Sequence, residues 1–73
     1  MLPLTLAREG EDIVVGRVGG NDAAKQHLAD LGFVEGARIQ VVSAHRGDLI
    51  VSLKGTKLAI TKEMAQKVLL RPA

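Results

Sequence analysis

Leu28-Ala-Asp-Leu-Gly-Phe-Val-Glu-Gly36, followed by Ala-Arg-Ile-Gln-Val-Val42, is the stretch that decides the fold. It reads as the end of a short amphipathic helix running straight into a β-strand, with a glycine at each corner. Ala24, Leu28 and Leu31 recur at i, i+4 and i+7, which lines one face of a helix. Gly32 stands where a left-handed cap is needed, since a residue without Cβ enters that conformation at no steric cost. With Leu31 as the last half-helical residue, Phe33 is the second residue past the end and is placed to pack back on Leu28. Gly36 then turns the chain into a strand over Arg38–Ala44.

Outward from this stretch the chain reads as short strands. Leu2, Leu4 and Leu6 alternate, which predicts an extended N-terminus with one buried face, Pro3 keeping it near an edge. Gly10-Glu11 is a turn, and Ile13–Val18 is a strand rich in β-branched residues. Gly19-Gly20-Asn21 breaks it, with Asn21 or Asp22 capping the helix that runs to Leu31. Arg38–Ala44 and Leu49–Leu53 form a hairpin across His45-Arg46-Gly47-Asp48, with Leu49, Val51 and Leu53 on one face. Gly55-Thr56 turns into Lys57–Ile60. Thr61 caps one helical turn at Lys62–Gln66, and Val68–Leu70 returns as a last strand. The expectation is a mainly β fold: a small SH3-like barrel with one inserted α-helix and a short C-terminal helical turn.

Composition bounds the class. The chain has 73 residues, read as one domain over 1–73, near the lower size at which a core alone stabilises a fold. Phe33 is the sole aromatic residue, so the core draws on 22 Leu, Ile and Val. The absence of cysteine excludes disulfides and thiolate metal sites, and fits a reducing cytoplasm. No apolar run is long enough to span a membrane, and the N-terminus lacks the basic leader of a signal peptide.

The net charge of +2 hides an asymmetry. Residues 1–37 hold three cations against six carboxylates, a balance of −3, and residues 38–73 hold seven against two, a balance of +5. A basic half can face an acidic partner, phospholipid or nucleic acid. Its charges are spaced singly, as on the outward positions of strands with blunted edges.

The residues in order resemble the FeoA family, small accessory proteins of bacterial ferrous iron uptake. The resemblance runs from Leu4 to Leu70. It rests on Leu28-x-x-Leu31-Gly32-Phe33-Val34-x-Gly36-x-x-Ile39-x-Val41, then Leu49-x-Val51-x-Leu53-x-Gly55-x-x-Leu58-Ala59-Ile60, with Ala65 and Val68 near the end. It implies an SH3-like barrel and a cytoplasmic protein held at the inner membrane by its partner. That partner is a ferrous iron permease, FeoB, with a cytosolic GTPase. The same domain also ends iron-dependent repressors, so a metal-sensing regulatory module is the alternative. A weak homo-oligomer through an exposed edge strand stays open.

Candidate residues sort by chemistry. Ser43 and Ser52 have only His27 and His45 as bases, with no arrangement in sequence that joins them, and no phosphate-binding glycine loop is present. The chain is therefore read as non-enzymatic. His27 and Asp30 are i, i+3 on the helix and are the candidate metal ligands, but two ligands make no closed site, and His27 is expected to be partly packed. No intrinsic cofactor is expected; ferrous iron or another divalent metal held weakly stays open. Arg46-Gly47-Asp48 is read as turn chemistry. Lys54, Lys57, Lys62 and Lys67 suit phosphate contacts, but without aromatic platforms nucleic acid is not an expected partner and weak binding is the third reading. The expected partner surface is Lys25, Gln26, His27 and Asp30 on the helix, with Val34 and Glu35 at the corner. Leu28, Leu31, Gly32, Phe33, Gly36 and Gly55 are assigned structural roles.

Overall fold

A computed structural model describes residues 2–71. Its elements in order are β1 (Leu2–Pro3), a 3-10 turn (Leu4–Leu6), β2 (Asp12–Val18), α1 (Asp22–Leu31), β3 (Arg38–His45), β4 (Asp48–Leu53), β5 (Thr56–Ile60), α2 (Lys62–Gln66) and β6 (Val68–Arg71). The strands form one antiparallel six-stranded sheet in the order β1-β6-β2-β3-β4-β5.

Alternation builds the core. Ile13 and Val15 of β2, Ile39 and Val41 of β3, and Leu49, Val51 and Leu53 of β4 all turn inward and are buried. Two bulges bend the sheet around them. In β2 the register shifts between Val15 and Arg17, and in β3 between Val41 and Ser43. Each extra residue flips the side-chain parity, so the next inward positions are Val18 and Ala44, both packed against the core. The sequence spacing Ile13-x-Val15-x-x-Val18 repeats as Ile39-x-Val41-x-x-Ala44, the mark of a period-two strand with one inserted residue.

Both hairpins of β3–β4–β5 close with two-residue loops. Arg46 and Gly47 have φ of 53° and 90°, and Lys54 and Gly55 have 52° and 81°, the doubly positive pattern that matches strand twist in tight hairpins. The second turn is therefore Lys54-Gly55 and not Gly55-Thr56, because Thr56 already pairs with Leu53 in the ladder.

The N-terminus departs from the expected extended run. After Pro3 the chain enters the 3-10 turn, where residues two apart no longer share a face. Only Leu4 is buried, at 0% exposure, while Leu2 and Leu6 are 62% and 63% exposed. Leu4 sits against α2, whose Ala65 is also fully buried. Thr61 caps α2 as expected, its Oγ1 accepting from the Met64 N–H at 3.3 Å.

Candidate functional site

The helix α1 and the corner after it form a unit fixed at both ends. Asn21 Oδ1 accepts from the Ala24 N–H at 2.8 Å, satisfying a donor that the first helical turn leaves free. At the other end Gly32 has φ of 107°. Its N–H donates to the Ala29 carbonyl and that of Phe33 to the Leu28 carbonyl, each at 2.9 Å, the paired closure of a Schellman cap. Leu28 and Phe33 are each 1% exposed, so the cap drives two large side chains into the core. Leu31 is half-buried at its edge.

The corner is tied to the sheet by main-chain bonds. The Ala37 N–H donates to Val34 at 3.0 Å, the Gly36 N–H to Val15 at 2.7 Å, and the Val15 N–H to Ala37 at 2.9 Å. Gly36, with φ of 86°, makes the expected bend.

Lys25, Gln26, His27 and Asp30 are all exposed on α1, and Val34 and Glu35 are exposed at the corner. Val34 is an apolar side chain 47% exposed on this polar rim. Gln26 Nε2 donates to Asp30 Oδ1 at 2.7 Å, an i, i+4 bond along the outer face. His27 is exposed and not partly packed: at the margin of the apolar face its ring clears the core that Leu28 occupies. Asp30 is engaged by Gln26. Among the described residues no group of three or more His, Cys, Asp or Glu is placed to hold a metal ion.

The β3–β4 hairpin brings Ser43, His45 and Asp48 together on one side of the sheet. They line one shallow depression of about 300 Å³ over β3–β4–β5. No hydrogen bond among the described residues joins Ser43 to His45, and Asp48 Oδ1 instead accepts from the Lys62 N–H at 2.8 Å, at the start of α2. Asp48 thus assists the Thr61 cap, and Arg46-Gly47 is the hairpin loop before it. Ser52 lines a second depression of about 430 Å³ with Asp12, Arg38 and Gln40, among which there is no histidine.

The four lysines are dispersed. Lys54 and Lys62 flank opposite ends of β5, Lys57 lies on its outer face, and Lys67 runs along Gly20. No helix in the described residues is long and apolar enough to cross a membrane.

Comparison with known proteins agrees with this architecture. The model of the FeoA domain family matches residues 2–72. A Methanocaldococcus jannaschii protein named as an Fe(2+) transport protein A is 33% identical over 73 residues, covering 100% of this chain and 89% of that one. The crystal structure of an iron uptake regulatory protein, FeoA, superposes with a TM-score of 0.90 at 35% identity over 96% of this chain and 95% of that chain. The zinc-complexed FeoA of Stenotrophomonas maltophilia, described as a prokaryotic SH3 domain protein, gives 0.83 at 27% identity over 97% and 91%. Matched by the family model along nearly its whole length and sharing this SH3-like sheet with its relatives, the chain belongs to the FeoA domain family.

Proposed function

We propose that this protein is a non-catalytic, cytoplasmic accessory of ferrous iron uptake. It acts by docking on the cytosolic GTPase part of a FeoB-type membrane permease. The observation that carries the docking surface is the doubly capped α1–corner unit, which holds Lys25, Gln26, His27, Asp30, Val34 and Glu35 outward on a rigid frame. Val34 adds one exposed apolar contact at the corner beside the polar side chains of α1, and interfaces combine both kinds of group. Membership of the FeoA family supports the link to ferrous iron transport, as do the transport and iron-uptake names of the relatives.

The test is capture from detergent-solubilised native membranes on the tagged protein, with and without ferrous iron, partners being identified by mass spectrometry. Recovery of a large GTPase-bearing permease is expected, and its loss in the double variant Asp30→Lys, Val34→Ser. Recovery of only soluble proteins from the wild type overturns the reading. An anaerobic ferrous titration of the isolated protein separates a role through the partner from a role as a metal sensor. Saturable one-to-one binding that is lost in His27→Ala favours the sensor.

A further inference from the structure

The sheet ends on β5, whose second side carries no strand among the described residues. Hairpin parity fixes which groups face that side. Across the two-residue loop Lys54-Gly55, Leu53 and Thr56 exchange both main-chain bonds, and bonded pairs then alternate with unbonded ones. Val51↔Leu58 and Leu49↔Ile60 are therefore bonded within the sheet, whereas Lys57 and Ala59, opposite Ser52 and Ile50, aim their N–H and C=O groups outward.

The side chains on this edge are matched to an occupant. Lys57 and Ala59 are both exposed and share the outer face. Beside them lies the depression of about 300 Å³, with Ile50 and Ala59 as its apolar floor and Ser43, His45, Thr61 and Asp48 around it, the Asp48 carboxylate being turned to the Lys62 N–H. Ile50 is 40% exposed there. A lysine on an edge strand also blunts aggregation, but that role gives no reason for an apolar depression alongside it.

We propose that the β5 edge receives an extended segment of a partner protein as a seventh strand. That segment carries a branched apolar residue opposite Ala59 and a carboxylate opposite Lys57. Main-chain bonds to Lys57 and Ala59 supply affinity, and the depression and the lysine supply selectivity, as in other cases of strand addition. The occupant is an acidic–apolar strand and not a second copy of this chain. Pairing β5 with its own copy would bring Lys54, Lys57 and Lys62 of both protomers to one junction, and like charges across a ladder are destabilising. This edge belongs to a different element from α1 and stands independently of the proposed function.

The test uses the capped peptide Ser-Glu-Thr-Val-Thr-Glu-Ser, which offers the same valine and glutamates in either strand direction. Titrated at millimolar concentration into the nitrogen-15-labelled protein, it is expected to shift the Lys57 and Ala59 amides and slow their hydrogen exchange. Lys57→Glu is expected to weaken binding about fivefold, the order of an inverted cross-strand charge pair. Ala59→Pro is expected to abolish it while leaving the other amide resonances in place, because only the outward N–H is removed. Should Ala59→Pro fail to fold, Lys57→Glu decides. Unmoved Lys57 and Ala59 amides overturn the proposal. So do shifts centred on α1, and so does a dependence of the same amides on protein concentration without peptide, which would assign the edge to a second copy.

Discussion

Gly32 is the residue on which the domain turns, for two separate reasons. Its φ of 107° is one that side-chain-bearing residues resist, and a Cβ there would meet Leu53 Cδ2 at 2.5 Å and Cγ at 3.4 Å. Gly55 is the natural control, with φ of 81° and nothing within 4 Å of a built Cβ. Gly55→Ala is expected to lose about 1 kcal/mol, the left-handed backbone penalty alone. Gly32→Ala is expected to lose about 2–4 kcal/mol, because displacement of a core leucine is added. Urea unfolding of both variants checks this, and equal losses would mean that Leu53 yields freely. The structural roles assigned from sequence at Gly32 and Phe33 rest on turn chemistry, which is local and therefore readable. The contact with Leu53, 21 positions further on, is not local and carried no sequence signal.

Among the elements, α1 combines a structural inner side with an outer side on which little depends for folding. Asn21→Ala is expected to lose about 1 kcal/mol through the unsatisfied first-turn donor, while Asn21→Ser keeps an acceptor and stays close to wild type. Asp30→Lys with Val34→Ser is expected to change unfolding free energy by less than about 0.5 kcal/mol per site, as for exposed positions generally. Loss of permease capture at unchanged stability would then report on docking alone. The helix and its Gly32 cap were legible because 3.6-residue periodicity and turn chemistry are written within a dozen residues, while the choice of Asn21 over Asp22 as the N-cap came from the structure. The 3-10 turn at Leu4–Leu6 was not. Alternating leucines satisfy a strand template, and the packing of Leu4 against α2, some 60 residues away, decides against it.

For the whole molecule, stability is concentrated in few side chains. A domain of this size buries only about 60% of its unfolded surface, so its margin is narrow. Phe33 is the largest fully buried side chain. Phe33→Ala is expected to lose about 3–5 kcal/mol and leave a substantially unfolded population at physiological temperature, whereas Phe33→Leu is expected to lose roughly 1–2 kcal/mol. Circular dichroism melting curves distinguish the two. The charge asymmetry between the halves resolves at this scale into dispersed basic positions. The fold places Arg38 at the start of β3, Lys54 in a hairpin loop, Lys57 in β5 and Lys62 and Lys67 at the two ends of α2.

By itself the sequence determined the helix with its Gly32 cap, the inward residues of β4, the cap of α2 and the mainly β class. These depend on backbone preferences and periodicities confined to neighbouring residues. The polar side of α1 was accessible to it except at His27, which was expected to be partly packed, since the polar side of an amphipathic helix is known once its apolar side is known. The tertiary structure alone decided the sheet order, with β6 inserted between β1 and β2. It also decided that β5 is an edge, that Asp48 serves α2 and that His27 stands clear of the core. Each of these depends on which distant segments meet, and that is set by the closure of the whole core and not by any one stretch of chain.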